Sequence, residues 1–484
     1  MASDAKSKNL IHGIVATGLS AALFYIGTGL HPHWWATWLV PLPILFFASR
    51  ASFTSTLVAS FIAYACGTLN MWHYLHNLIG LPTFVLFSFS FFPSVIFACT
   101  VLFWRRFSLQ GNILLAAFSL PCLWTSYEYI YSVFSPHSTF GSLAYSQMDF
   151  LPVIQIASLV GSWGIVFFLL LVPSTVAAVF CITGSTNTKY RVVATVCAVA
   201  LFVLGFGLWR LHSSLNATGT AAVRLISSDA NGDVFPTSDA PALQLFQKYT
   251  SALSTKSGEQ PVDLILAPEK LALVSDSASA EAKELFSAVA VQSKSDIVVG
   301  FDEKRNGTRR NEALLFAKDG SLEVDYEKHH FIPVLEDGYV PGQDYAVLQR
   351  PSGIWGVAIC KDMDFPRLSR EYGKRRVGLL IVPAWDFVID AWYHDRMAVL
   401  RGVESGFTIV RSAKQGLQTV SDNRGRLLLD RSGSKDGLII SDGIAPVAHA
   451  ATLYTSWGDW FAWLCVAFLL LFVFKLRSAN PTSI

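Results

Sequence analysis

Charge is scarce in this chain. Only 15% of its 484 residues are Asp, Glu, Lys or Arg and 52% are hydrophobic, whereas an average soluble domain is roughly one quarter charged. Mean hydropathy is +0.42, so much of the chain is expected to face lipid. The formal net charge is only +2 and no block of Lys and Arg stands out, which leaves a nucleic-acid partner without support. Zinc-type cysteine spacing, a glycine-rich phosphate loop, internal repeats and low-complexity tracts are also missing, and with them the usual signals for a metal or nucleotide cofactor. Cysteine is thin where it would matter for a scaffold. Cys66, Cys99, Cys122, Cys181, Cys197 and Cys465 lie in apolar stretches, and the polar part of the chain holds Cys360 alone. One cysteine cannot close an internal bridge, which excludes a disulfide-framed domain and makes a lone thiol worth explaining.

What is present in abundance is apolar sequence, unevenly placed. Stretches at about 11–30, 34–48, 54–73, 83–104, 113–134, 153–182, 192–210 and 457–474 are apolar enough to be read as membrane helices, by a length criterion of roughly 20 residues. The second is short and carries Pro41 and Pro43. Eight spans are expected, seven before a polar region and one after it. Lys6, Lys8, Arg50, Arg105, Arg106, Lys189, Arg191, Lys475 and Arg477 all fall on one side of this arrangement, and the short connections near 31–33, 74–82 and 135–152 hold no Lys or Arg. The positive-inside rule then places both termini in the cytoplasm and the polar region outside it. The first apolar run lacks a small-residue cleavage site, so no cleaved signal peptide is expected. The expected organisation is a seven-span membrane domain over 1–212, an extracytoplasmic domain over 213–452, and a final helix with a cytoplasmic tail over 453–484. Glu128 interrupts one span, either as a residue snorkelling at the helix end or as a buried group with a partner. The connection containing Tyr145-Ser146-Gln147 is either an ordinary interfacial loop or part of a substrate entrance.

The polar region alternates short β-rich runs with polar helical ones. Strands are expected at 222–228, 262–267, 296–301, 312–317, 322–326, 353–359, 379–383, 408–412 and 417–420, and helices at 242–253, 279–293, 366–376 and 391–405. Lys318-Asp319-Gly320 and Asn423-Arg424-Gly425 read as hairpin turns. Apolar strands interleaved with amphipathic helices imply an α/β domain with helix-covered sheet.

Within it, the strand at 353–359 runs into Cys360 and then a helix, a strand-to-helix elbow that exposes a side chain and aims backbone N–H groups at whatever the thiol attacks. A small buried hydrophobe is the plain alternative. Glu269 follows the strand at 262–267, where open α/β sheets place their active sites, and Lys328 follows the strand at 322–326. Read singly, Glu269 serves as a helix cap and Lys328 as a solvated strand end. Read together with Cys360, they supply a base, an oxyanion-stabilising cation and a nucleophile for acyl transfer through a thioester. The lysine is also expected to lower the thiol pKa. The adjacent His329 and His330 point to opposite faces and do not suggest a metal site, and Arg401 with Glu404 is read as a structural pair on one helix.

The spacing Pro268-Glu269, Tyr326-x-Lys328 and Cys360-x-Asp362-x-x-Phe365-Pro366 resembles the carbon–nitrogen hydrolase (nitrilase) superfamily. Its membrane-embedded branch, the apolipoprotein N-acyltransferases, is resembled in Trp124-x-x-x-Glu128, Gly141-x-x-x-Tyr145-Ser146-Gln147, Tyr326-x-Lys328-x-His330-x-x-Pro333-x-x-Glu336 and Trp392-x-His394-x-x-Met397-x-x-x-Arg401-x-x-Glu404. The resemblance implies a nitrilase-like α-β-β-α sandwich inserted into an eight-span helical membrane domain. It implies Glu269 as general base, Lys328 as oxyanion stabiliser and Cys360 as nucleophile, with Glu336 and Asp362 as supporting carboxylates. Tyr339 and Trp385 are expected as substrate contacts, and neither a metal nor another cofactor is required. The implied reaction takes a fatty acyl chain from a phospholipid onto Cys360, then passes it to the free α-amino group of the N-terminal diacylglyceryl-cysteine of an apolipoprotein. The implied setting is a bacterial inner membrane, with the catalytic domain periplasmic and the protein a monomer. Three features depart from the branch. Lys361-Asp362 follows the cysteine, only residues 337–359 separate Glu336 from Cys360 where the branch carries a long lipid-handling arm, and Pro383-Ala384-Trp385-Asp386 and Ala413-Lys414-Gln415-Gly416 replace Asn-Asp-Ala-Trp and Thr-Asn-Asn-Gly. A membrane-anchored amidase and a catalytically silent scaffold are the alternatives these departures keep open.

Overall fold

The computed structural model describes residues 2–256, 262–305 and 307–478. The side chains of Lys6, Lys8 and Arg477 and the tail beyond Ser478, which enter the orientation argument, lie outside the described residues. The chain divides into two compact units, one of Met1–Phe134, Gly141–His212 and Asp459–Ile484, the other of Ser135–Phe140 and Ser213–Gly458.

The first unit is helical. Among the described residues five helices are long and apolar enough to cross a membrane: Asn9–Gly27, Thr83–Leu109, Ile113–Phe134, Ser162–Cys181 and Thr186–His212. The other expected spans take shorter forms. The 34–48 stretch breaks into Trp34–Thr37 and Pro41–Ala48, because Pro41 has no N–H to continue a helix yet suits the first position of a new one. The stretch at 153–182 is divided at Gly161, whose φ of +70° ends the turn Ala157–Val160 before Ser162–Cys181 begins. Phe53–Gly67 has 15 residues and passes into the 3-10 turn Thr68–Met71, while the last apolar run forms Trp460–Ser478.

Of the two alternatives for Glu128, the structure shows the buried group with partners. It is buried, and its carboxylate accepts from Trp124 Nε1 at 2.7 Å, Ser142 Oγ at 2.6 Å and Leu143 N at 3.2 Å. A buried carboxylate needs such donors, and these fasten the 142–143 turn to the helix. Tyr145, Ser146 and Gln147 are buried too. Gln147 Nε2 donates to Trp34 O at 3.0 Å and to Thr37 Oγ1 at 2.9 Å, and its Oε1 accepts from Trp38 Nε1 at 2.9 Å.

The second unit holds strands β1 (Ala217–Ser228), β2 (Leu264–Leu266), β3 (Leu273–Ser275), β4 (Asp296–Arg305), β5 (Thr308–Phe316), β6 (Leu322–Glu327), β7 (Ala346–Arg350), β8 (Gly353–Val357), β9 (Leu379–Trp385), β10 (Thr408–Lys414), β11 (Leu417–Ser421), β12 (Leu427–Ser432) and β13 (Leu438–Ala448). They form one sheet of order β13-β1-β2-β4-β5-β6, with β3 against β4, and a second of order β12-β11-β10-β9-β8-β7. The pairs β1–β2, β2–β4, β8–β9 and β9–β10 are parallel.

Side-chain alternation explains the layering. Val223 and Leu225 of β1, Leu264 and Leu266 of β2 and Val298 of β4 share one core with Val357, Leu379, Ile381 and Val410 of the second sheet. The residues between them, Ile226, Ile265, Ile297 and Val299, face outward into a second core with Phe246 and Phe286 of helices Asp239–Lys256 and Asp276–Ser293. Helices Pro366–Lys374 and Ala391–Ser405 pack on the second sheet's side, where Leu368 and Ala398 join the first core. The two expected hairpin turns join β5 to β6 and β11 to β12, with Gly320 at φ +88° and Gly425 at φ +78°.

Candidate active site

The parallel strands of both sheets deliver their C-terminal ends to one place. Past β2, Glu269 N donates to Ala384 O of β9 at 3.3 Å, and Pro268 O accepts from Gly300 N at 3.0 Å. Residue 300 has to be glycine. A Cβ there would lie 2.4 Å from Glu269 Cα and 2.5 Å from Pro268 O, with no flexible side chain to give way. Past β6, Lys328 N donates to Asn311 O of β5 at 2.9 Å. Past β8, Cys360 has a φ of +39° and opens the 3-10 turn Cys360–Asp364. The left-handed region is costly for a non-glycine residue and is held only where the surroundings impose it.

These ends bring Glu269 and Lys328 together. Lys328 Nζ donates to Glu269 Oε1 at 2.8 Å and to Glu336 Oε2 at 2.9 Å, all three side chains being buried. Lys270 Nζ pairs with Glu336 Oε1 at 2.7 Å. Asn311 Nδ2 donates to Glu269 Oε1 at 2.6 Å and to Glu336 Oε1 at 3.1 Å. Two lysines therefore balance two carboxylates inside the protein, as buried charge demands. Burial by itself would raise the Glu336 carboxyl, but Lys328 and then Lys270 outweigh it and hold it at about 2. Burial likewise pulls Lys328 down, and Glu269 and Glu336 more than reverse it, so the ammonium stays charged.

Cys360 lies within the electrostatic reach of this cluster. Burial, and next the charge of Glu269, push its thiol well up, and Lys328 only partly opposes them. Lys328 lowers the thiol pKa as expected, but desolvation of a thiolate is the larger effect and the net shift is upward. The resting sulfur is a thiol that needs a base. Its Sγ lies 3.6 Å from Trp385 O, which accepts its hydrogen bond.

Asp362 stands apart from the lysine cluster. It is fully buried, and its Oδ1 accepts from His329 N at 3.2 Å, His330 N at 3.0 Å and His330 Nδ1 at 3.0 Å. Its Oδ2 accepts from Tyr326 Oη at 2.8 Å and Ile359 N at 3.1 Å. One carboxylate thus ties the loop that follows Lys328 to the elbow that carries Cys360. The two histidines serve the same junction, His330 stacking on Phe365 with ring centroids 3.5 Å apart. Among the described residues no group of three His, Cys, Asp or Glu side chains is arranged to hold a metal ion. Arg401 and Glu404 form a fully buried pair at 2.9 Å.

Tyr339 and Trp385 are half-buried on either side of Lys270, whose Nζ lies 5.2 Å and 5.3 Å from their ring centroids. Behind Cys360, Asp386 pairs with Arg411 through bonds of 2.6 Å and 3.0 Å. Burial pushes the Asp386 carboxyl up to about 6 despite that arginine. Lys270, Asn311, Gly300 and Arg411 escape sequence reasoning, which met Asp386 only as a departure from the branch's motif. Only Lys270 and Gly300 carried a signal, the first by adjoining Pro268-Glu269 and the second as a glycine inside a strand-like run.

A family model for carbon–nitrogen hydrolases matches residues 220–442, and one for the N-terminal domain of apolipoprotein N-acyltransferase matches residues 20–175. The chain is similar to the apolipoprotein N-acyltransferase of Geobacter metallireducens, with 26% identity over 75% of this chain and 74% of that protein. It is similar also to that of Rhodopseudomonas palustris, with 28% identity over 84% of this chain and 80% of that one. Among solved structures, an amidase from Nesterenkonia sp. aligns with a TM-score of 0.41 and 18% identity, over 49% of this chain and 94% of that one.

Proposed function

Because the chain belongs to the apolipoprotein N-acyltransferase family, the membrane branch of the carbon–nitrogen hydrolases, we propose that it moves a fatty acyl chain from a phospholipid through a Cys360 thioester to the α-amine of a diacylated lipoprotein. The observation that carries this reading is Lys328 bridging Glu269 and Glu336 beside Cys360. In the first half-reaction Glu269 takes the thiol proton as Sγ attacks the ester carbonyl. Lys328 stabilises the developing oxyanion, and collapse expels the lysophospholipid, whose oxygen receives the proton from Glu269. In the second the lipoprotein amine attacks the thioester, Glu269 takes its proton, and the thiol is restored.

The proposed setting is a bacterial inner membrane crossed eight times, with a nitrilase-like α-β-β-α sandwich on the periplasmic side and the enzyme acting as a monomer. The shorter apolar helices at Trp34–Ala48 and Trp460–Lys475 and the helix Phe53–Gly67 would complete that count. Hydrolysis of amides is the second reading, favoured by the short 337–359 connection.

Purified protein in detergent, incubated with a phospholipid labelled in its acyl chains, is expected to gain one acyl mass at Cys360, to lose it to a diacylated lipopeptide, and to gain none as Cys360→Ser. A wild-type adduct that is released only as free acid would overturn the transferase reading in favour of the hydrolase.

A further inference from the structure

Around Lys270 the site is walled by alternating cations and rings. Arg309 lies 4.5 Å from the Tyr339 ring, Lys270 5.2 Å from Tyr339 and 5.3 Å from Trp385, and Lys414 3.9 Å from Trp385 and 5.1 Å from Phe235. The rings of this ladder are half-buried, whereas Lys414 is wholly enclosed. Among the described residues its amine makes no direct ion pair with a carboxylate. Nζ donates instead to two backbone carbonyls, Lys270 O at 2.5 Å and Val234 O. Burial, and then the charge of Lys270, push Lys414 well below the ordinary lysine range.

A buried amine held directly only by carbonyls, with Glu269, Asp302 and Asp229 acting on it from further off, is expensive, and its contacts identify its use. It grips the carbonyl of Lys270, a residue held at φ +44° whose own ammonium neutralises Glu336. It also packs under the Trp385 ring, while the neighbouring Gln415 Oε1 accepts the Trp385 indole N–H at 2.9 Å. Trp385 O is in turn the acceptor for the Cys360 thiol. One side chain thus braces both the cation that occupies Glu336 and the carbonyl that orients the nucleophile.

We propose that Lys414 is a positioning residue for Glu269, Lys328 and Cys360, acting through Lys270 and Trp385. The inference rests on the acyl-transfer reading of that site. Without Lys414, Lys270 O and Val234 O lose a buried donor and Lys270 is released from Glu336. Glu336 then draws on Lys328 alone and pulls it from the place where the oxyanion forms.

The test is single-turnover acylation of Cys360 by a labelled phospholipid in full-length Lys414→Met, Lys270→Met and the double variant. Lys414→Met is expected to lower the maximal rate about 10- to 100-fold, the scale of an ångström-sized misplacement, with the half-saturating lipid concentration unchanged. The double variant is expected to be no slower than the slower single one, since losing Lys414 already releases Lys270 from Glu336. A Lys414→Met rate within twofold of wild type, or losses that multiply in the double variant, would overturn the proposal. If Lys414→Met does not fold, Lys270→Met decides, and an unchanged acylation rate there overturns it. Should the wild type form no acyl-enzyme, the acyl-transfer reading itself has failed. Iodoacetamide alkylation of Cys360, read by peptide mapping, then tests Lys414 separately: slowing in Lys414→Met supports it and wild-type reactivity refutes it.

Discussion

Replacing Asp362 by Asn separates a residue that holds the nucleophile in place from one that only sits near it. The side chain keeps its shape, but one oxygen becomes an NH2 group facing donors. If the amide nitrogen takes the Oδ1 position, two bonds fail, from His329 N and His330 N, because the His330 ring can present Nδ1 as an acceptor. If it takes the Oδ2 position, only Ile359 N is orphaned, because the Tyr326 hydroxyl can turn and accept. The second arrangement is cheaper and sets the estimate. One buried N–H without an acceptor costs about 1–3 kcal/mol, and three charge-assisted bonds weakened to neutral ones lose about 1 kcal/mol each, so the whole is about 4–6 kcal/mol. At about 2–4 °C per kcal/mol for a unit of this size, Asp362→Asn is expected to lose on the order of 10–20 °C in Tm. Tyr326→Phe removes one bond and is expected to lose only a few degrees. Scanning fluorimetry in detergent measures both, and intact-mass acylation of Cys360 reports whether the elbow has loosened. A Tm for Asp362→Asn within about 2 °C of wild type, with unchanged acylation, would refute the argument that this carboxylate holds the elbow.

Glu269→Gln keeps an acceptor for Lys328 but removes the base; acyl-enzyme formation should fall about 10²- to 10⁴-fold, Tm should fall as well because two buried lysines are left with one carboxylate, and near-wild-type acylation in the folded variant would exclude Glu269 as the base. Gly300→Ala forces a Cβ onto the Glu269 backbone and is expected to cost about 1–3 kcal/mol or more together with most of the activity; a stable, active variant would show that the contact relaxes freely. Glu336 titrates near 2 in the folded protein against about 4.3 in an unfolded chain. Its pKa is depressed, so the stability it contributes is present above about pH 4.3 and lost as pH falls through about 2. Glu336→Gln should therefore flatten the decline of Tm across that window, and parallel curves for variant and wild type would show that the pairing contributes nothing.

What could be read from the sequence follows a physical division. The elbow was legible because an apolar strand, a cysteine and a proline-initiated helix occur in order, and Pro366 opens the helix as expected. Glu269 was legible as a polar residue at the end of an apolar run and Lys328 as a cation just past an alternating strand. Strands β7 and β12 were not, because each is an outermost strand of its sheet without strict alternation. Asn311 and Lys414 were illegible for another reason. A polar residue inside a strand declares itself only when its partner across the fold is known, and theirs are Glu269 and the Lys270 carbonyl. The net direction of the Cys360 shift was illegible on the same ground: the lowering by Lys328 could be read, the larger effect of burial could not.

That exclusion also bears on how the site would work. Glu269, Glu336, Lys270 and Lys328 are all buried, and together they carry no net charge before reaction. A preformed thiolate would add an unpaired negative charge to this cluster, which is what the raised Cys360 pKa resists. On the proposed mechanism no such charge is created. As the thiol proton passes to Glu269 one carboxylate is neutralised, and the negative charge reappears on the substrate oxygen beside Lys328. Charge is displaced over a few ångströms between two partners of the same lysine, so the cost of burial is met once, in folding, and not again at each turnover. Glu336 has a place in this charge balance. With Lys270 and Lys328 both bound to it, Lys328 is held at a fixed point as Glu269 changes charge, which a lysine paired to Glu269 alone would not be.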